Sequence, residues 1–407
     1  ALAKAGTKFA QFYAGSTVCA PSRAALMTGL HTGHTTIRGN GEVPLSTTDS
    51  ILPQYLHKAG YKNGIVGKWG LGQFGTTGVP ENKGWDFFAG LLHHVEGHFQ
   101  KPDSAWKFIN GKSAKVKIPE GQYSNEWFTN QAKIFIKEQQ SNPFFLYLAY
   151  TLPHAELVVP NTNMQTYLTP EGLSKFSPEK AHPSGQHYGP QNNPKAAYAA
   201  MVSQMDQYVG QIIAYLKEQK LYDNTIIIFT SDNGTHKEGG RTNQDISFFN
   251  SSGGLRGAKR DLYEGGIRIP FIVSWKGKIK PASSNEFIGA LWDIVPTINE
   301  IAGVKTANQT DGISFVNALQ GKKQVNHNLL YWEFYEGGFK QAILQNNWKA
   351  IRFYKGKTPI RTELFDLSAD KGETINIADE NEPKVKLLEA LMDKERTTST
   401  NPLFQIK

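Results

Sequence analysis

The sequence predicts an α/β protein: a large, mostly parallel sheet sandwiched by helices, joined to a smaller C-terminal α+β domain of an antiparallel sheet plus a helix. Three observations point there. Along the first three quarters of the 407 residues, short β-branched or aromatic runs recur with little polar alternation, the mark of strands covered on both faces. Amphipathic helical stretches separate those runs, as parallel connections require. After about residue 325 the texture shifts to closely spaced strands, so the expected domains are 1–325 and 326–407.

The first strand is expected over 8–18, KFAQFYAGSTV. It feeds CAPSRAALMTG, where Pro21 suits a first helical turn and Gly29 a helix end. In SILPQYLHKAG (50–60), Leu52, Tyr55, Leu56 and Ala59 fall at helical spacing and Gly60 is a stop. NGIVGK (63–68) is the next strand and NEWFTNQAKIFIKEQQ (125–140) the next long helix. PFFLYLAY (143–150), TIIIFT (225–230) and IPFIVSW (269–275) are further strands, with a helix over 196–220 between the first two. Segments 100–122 and 155–195, rich in Pro, Asn, Gly and Lys, read as long loops that wall or cover a site. LLYWEFY, KQAILQ, WKAIRFY and RTELFDL form the C-terminal sheet, followed by the helix 383–396.

Composition excludes several classes. Apolar residues at 39% and charged residues at 20% give an ordinary globular balance. No apolar run reaches the ~18 residues that span a bilayer, so no membrane span is expected. The formal charge of +8 (44 basic against 36 acidic residues) suits an anionic partner, or is simply a mildly basic surface. The basic residues are scattered, so nucleic acid is not an expected partner. The single cysteine excludes an internal disulfide.

Ligands of open parallel sheets sit beyond the carboxyl ends of the strands. Here those ends run into CAPSR, GKWG, TLPHAE and SDNGTH, which gathers Cys19, Arg23, Lys68, His154, Asp232, Asn233 and His236. LRGAKRDLYEGGIRIP (255–270) brings Lys259 and Arg260 ahead of another strand. Taken singly, each has a plain alternative: a buried cysteine is usually a small hydrophobe, and Asp-Asn-Gly is a common turn. Together they make an anion site with oxygen donors for a hard cation. Cys19 at a helix N-terminus is also placed for a lowered thiol pKa, so a thiol nucleophile with His154 or His236 as base stays open.

CAPSRAALMTG resembles the signature of the type I sulfatases, of the alkaline phosphatase superfamily. GYKNGIVGKWGLG (60–72), YTLPHAELVVP (150–160), IIIFTSDNGTHKEGG (226–240) and GGLRGAKRDLYEGGIRIPFIVSW (253–275) resemble further sulfatase blocks in the same order, and the resemblance extends over nearly the whole chain, including LFDL near its end. It implies a sulfuric ester hydrolase in which Cys19 is oxidised to formylglycine by a formylglycine-generating or sulfatase-maturating enzyme. The hydrated aldehyde attacks sulfur with one hydroxyl and releases sulfate through the other. The resemblance further implies that Arg23 orients this group, that Lys68 and Lys259 hold sulfate oxygens, and that His154 protonates the leaving oxygen, with Lys259 or His236 as rivals. Asp232, Asn233 and residue 19 would hold Ca²⁺ or Mg²⁺, and His236 and Arg260 would contact substrate.

Two departures from the family pattern stand out. Gly70 occupies a position where members often carry His, which leaves the acceptor of the diol proton unassigned. The chain opens in what reads as the helix before the cysteine strand, so the Asp-Asp pair of the family's first strand is missing. The expectation is a chain that is the remainder of a longer protein, short of the ~6 to 8 oxygens Ca²⁺ prefers, and weak or inactive as such.

The substrate expected from the basic balance and long polar loops is a sulfated sugar or polysaccharide, with Trp106, Trp127 and Tyr188 as candidates to stack on sugar rings, core packing being the commoner role for aromatics. The alternatives are a phosphodiesterase or phosphonate monoester hydrolase of the same superfamily, or a catalytically silent protein that binds anionic glycans. A periplasmic or secreted location follows from the family alone.

Overall fold

The computed structural model describes residues 1–305 and 309–406. In chain order its strands are β1 (Thr7–Tyr13), β2 (Lys62–Lys68), β3 (Phe87–Leu91), β4 (Ser104–Ile109), β5 (Lys112–Lys117), β6 (Phe144–Ala149), β7 (Ile227–Thr230), β8 (Phe271–Ser274), β9 (Ser283–Ala290), β10 (Leu330–Phe334), β11 (Lys340–Gln345), β12 (Trp348–Lys355) and β13 (Thr358–Asp366). They fall into two compact units, Ala1–Tyr55 with Asn224–Thr235 and Asn250–Lys407, and Leu56–Asp223 with His236–Phe249.

The first unit holds a four-stranded sheet in the order β7-β8-β1-β9. β1 runs parallel to β9 and antiparallel to β8. Phe9, Phe12, Phe271 and Phe315 interlock beneath it, with Phe12 stacked on Phe271 at 3.6 Å. β1 ends at Tyr13, short of the expected 18, and the helix starts at Cys19 rather than Pro21. Every residue of that helix (Cys19–Thr28) except Leu26 is buried, which its mostly small side chains permit.

The C-terminal antiparallel sheet is present as expected, a meander of β10-β11-β12-β13 in this same unit. Its strands are apolar on both faces because both are covered. Trp332, Phe334, Leu344, Ile351 and Phe365 pack with Tyr13, Val18, Ala25 and Trp292. Tyr331, Ile343, Ala350 and Leu364 take Leu388 and Met392 from the helix Glu382–Lys394. Three fully buried groups pin this packing: Lys349 reaches Glu264 at 2.9 Å and Glu373 at 2.8 Å. Tyr13 and Arg268 also bond Glu264.

A histidine–carboxylate clasp lies in the same unit. His31 and His34 stack at 4.4 Å; His34 Nδ1 is 2.9 Å from Asp311, and His31 Nε2 is 3.7 Å from both Asp311 and Glu395. His31 Nδ1 accepts the Gly33 N–H, so the ring proton sits on Nε2, facing the carboxylates. The three side chains His31, His34 and Asp311 could hold a cation by proximity alone, but this proton fills the place of the His31 lone pair. The Asp311 hydrogen bond raises the pKa of His34 above 6.5. Against the opposing effect of burial, His34 and His31 hold Asp311 below 3.8, and His31 holds Glu395 below 4.5. His34 therefore contributes stability fully below pH 6.5 and loses it as pH rises through its raised value, whereas the carboxylates contribute above their unfolded values and lose it on acidification. His34→Gln should remove stability at pH 5.5 and cost little at pH 9, as urea midpoints at the two pH values will report.

The second unit holds a five-stranded sheet, β5-β4-β3-β2-β6, in which β2 runs parallel to β3 and β6 and antiparallel pairs add β4 and β5. The expected α/β class thus appears as two mixed sheets with parallel pairs at β1–β9, β2–β3 and β2–β6. The helix Ser124–Glu138 lays Trp127, Phe128 and Ala132 against Val66, Ala89 and Leu91. Trp127 is thereby a core residue, 7% exposed, and not a sugar-stacking surface. Segment 100–122, expected as loop, contains the β4–β5 hairpin. Asn110 and Gly111 turn it with φ of 51° and 76°, the mirror-image turn that suits twisted hairpins.

Candidate active site

The first unit gathers Cys19, Arg23, Asp232, Asn233, Lys259 and Arg260. Cys19 is 3% exposed at the start of its helix, and the next residue's N–H is held by Asn40 Oδ1 at 3.0 Å. One turn on, Arg23 donates Nε and Nη2 to Asp232 Oδ2 at 3.0 and 2.8 Å. This fork neutralises a guanidinium that is 5% exposed. Asp232 lies two residues past the end of β7, and its turn is tied down where the Gly234 N–H meets Gly266 O at 2.9 Å. A side chain at 234 would run into Gly265 O, so glycine is required there.

Asn233 spends Nδ2 on the Gly234 carbonyl, while its Oδ1 is buried without a hydrogen-bond partner among the described residues. Beside the Asp232 carboxylate, such an oxygen is an unmet acceptor and fits a hard cation. Lys259 is buried, with its N–H on Thr235 O at 2.7 Å. Arg260 donates its N–H to Thr17 and pairs through Nε with Glu336 at 2.9 Å.

Lys68, His154 and His236 belong to the second unit. Lys68 closes β2 and is 2% exposed; Gly97 gives it room, since a Cβ there would lie 2.7 Å from Lys68 Cδ. His154 has an acceptor at each ring nitrogen: Ala155 O lies 2.5 Å from Nδ1 and Glu238 Oε2 3.1 Å from Nε2. That arrangement favours the imidazolium. His236 is the opposite case. Its Nε2 donates to Pro153 O at 2.8 Å and its Nδ1 accepts the Glu238 N–H at 3.2 Å, which fixes a neutral tautomer. Burial, then the charge of His154, lowers its pKa well below 6.5.

A profile of the sulfatase family matches residues 1–304. The chain belongs to that family. A second profile, the C-terminal part of N-sulphoglucosamine sulphohydrolase, matches 257–399. This sulfatase is 30% identical over 386 residues to an arylsulfatase of Hemicentrotus pulcherrimus, covering 89% of the chain and 62% of the relative. It is 27% identical over 383 residues to the N-acetylgalactosamine-6-sulfatase of Sus scrofa, covering 86% and 65%. The chain thus spans about two thirds or less of the length of these relatives. In fold it is similar to Ps i-CgsB in complex with k-i-k-neocarrahexaose, with a TM-score of 0.76 at 24% identity over 97% of this chain and 85% of that one.

Two residues of the sulfatase escaped the sequence: Glu238, which pairs with His154, and His98, whose ring stacks on His154 at 4.3 Å. The His-x-Glu spacing at 236–238 was the available signal for the first. For His98 there was none, because a backbone bond from Glu156 N to His98 O (2.6 Å) joins segments distant in sequence. Gly70 takes φ +75°, where a histidine would be strained, and has His94 as its neighbour.

Proposed function

We propose that the protein hydrolyses sulfate esters of a sugar or polysaccharide. The observation that carries this is Cys19 at the head of its helix, one turn from an Arg23–Asp232 fork beside the unpartnered Asn233 oxygen, in a chain of the sulfatase family. Conversion of the Cys19 thiol to formylglycine by a maturating enzyme supplies, once hydrated, the attacking hydroxyl. Asp232, Asn233 and the oxygen at position 19 are the ligands proposed for Ca²⁺ or Mg²⁺, which when bound withdraws charge from the sulfate.

Arg23 orients the group at position 19 while neutralising Asp232. Lys68 and Lys259, both buried, supply ammonium donors to sulfate oxygens, where lost hydration makes each charge count for more. His154 donates the proton to the leaving oxygen. Its charge is held in reserve by Glu238, and exchange of the Glu238 contact for the leaving oxygen delivers it. His236 has no nitrogen to offer substrate and instead fixes the turns that carry His154 and Glu238. Arg260 is the most exposed of the candidates and contacts the saccharide. Residues 1–325 form the catalytic domain in this reading, 326–407 a supporting one, and export to a periplasm or the cell exterior fits the family. Among the described residues no helix is long and apolar enough to cross a membrane.

Incubation with a panel of sulfated saccharides, aryl sulfates and phosphodiesters tests the reaction class. Release of inorganic sulfate is expected, and turnover of phosphodiesters alone would overturn it. Glu238→Gln tests the acid: the alkaline limb of the pH–rate profile should move to lower pH by about one unit. The rate should fall more for sugar sulfates than for activated aryl sulfates. An unmoved limb would remove His154 from the role.

A further inference from the structure

The β4–β5 hairpin carries a surface that this chemistry leaves unused. Phe74, 63% exposed on the loop after β2, stacks on half-buried Trp106 of β4, with ring centroids 5.2 Å apart and planes 21° from parallel. Trp106 faces Lys115 across the hairpin, and Ser104 faces Lys117, so both lysines rise on the side of the sheet that holds the aromatic pair. On the other flank, Trp106 is opposite Gly90 of β3, where no side chain competes for the space. Lys115 and Lys117 are exposed and enter no ion pair among the described residues. From 101 to 117 the sequence has five lysines and a single acid, Asp103. The nearby Glu81 carboxylate is occupied by the N–H and hydroxyl of Ser113.

We propose that this face of the second unit docks a sulfated polysaccharide chain. The outer face of Phe74 offers an apolar plate for the C–H side of a sugar ring, held in place by Trp106 so that little freedom is lost on binding. Lys115 and Lys117, spaced by two residues along one strand, present ammonium groups to successive sulfates. The charge of the hairpin matches a polyanion, and the choice of a sulfated glycan over a nucleic acid strand rests on the proposed carbohydrate sulfatase reading.

The test is calorimetric titration with heparin, chondroitin sulfate, a desulfated chondroitin and a single-stranded oligonucleotide. Phe74→Ala should weaken binding of at least one sulfated chain by about five- to tenfold. Phe74→Tyr should restore it, and Lys115→Ala with Lys117→Ala should flatten its salt dependence. Hydrolysis of a small aryl sulfate should be unchanged in all of these, which also reports that the variants fold. Equal affinity of wild type and Phe74→Ala for every sulfated chain overturns the platform, as does tighter binding of the oligonucleotide. Loss of chain binding in Phe74→Ala alongside a wild type inert toward every sulfate ester would keep the platform and refute the sulfatase reading instead.

Discussion

Cys19→Ala should abolish sulfate release, lowering the rate by at least about 10⁴-fold, the scale on which a covalent nucleophile acts. Alanine fits the space of a cysteine that is 3% exposed, so the folded state should survive with a little-changed melting temperature. The loss would thus belong to chemistry and not to structure. Cys19→Ser separates the proposed nucleophile from a simple hydroxyl. A serine can attack sulfur once but has no second hydroxyl with which to expel sulfate, so turnover should stall after about one equivalent, with the adduct visible as added mass. Ion chromatography of sulfate and intact-protein mass spectrometry read both outcomes. Wild-type turnover by Cys19→Ala would place the nucleophile elsewhere.

Lys349→Met should destabilise the protein by about 3–5 kcal/mol, the cost of stranding buried charges. Lys349 is wholly buried between Glu264 and Glu373, and its two carboxylates raise its pKa against the effect of burial. Glu373 is already raised by burial, and the neighbouring Glu264 adds to it. Removing the ammonium leaves the two acids facing each other, with Arg268 and the Tyr13 hydroxyl still on Glu264 but Glu373 left buried without a counter-charge among the described residues. Adding Glu373→Gln should recover much of the loss, since Glu264 then keeps Arg268 as its counter-charge and no carboxylate is stranded. Urea midpoints at pH 7 report both steps. An unchanged midpoint for Lys349→Met would mean that the triad is hydrated and its charges cheap.

Much of this was legible in the chain. The strands that lead toward Cys19, Lys68, His154 and Asp232, ending from none to six residues before them, are local features, because side-chain periodicity and the residues that break it lie within a few positions of each other. The β4–β5 hairpin was hidden by its lysines, which lower apparent strand propensity although Asn110-Gly111 announces the turn. Trp127 stayed open between sugar stacking and core packing because a helix reveals which residues are apolar but not which neighbour covers them. The roles of His236 and Glu238 were beyond reach for another reason. Two residues apart in sequence, each takes its role from a contact with Pro153 or His154, about eighty positions earlier.

The C-terminal sheet that packs on the cysteine helix has a consequence in time. Trp332 Nε1 bonds Ala14 O at 2.9 Å and Glu333 N bonds Thr32 Oγ1 at 2.8 Å, so the residues flanking the cysteine helix are tied down by strands made some three quarters of the chain later. At about 5–20 residues per second, roughly 300 residues of synthesis leave the thiol exposed for roughly 15–60 s before those strands exist. Afterwards it is sealed. A thiol that is 3% exposed in the folded chain is therefore open to chemistry chiefly in that interval, and the order of assembly sets its length.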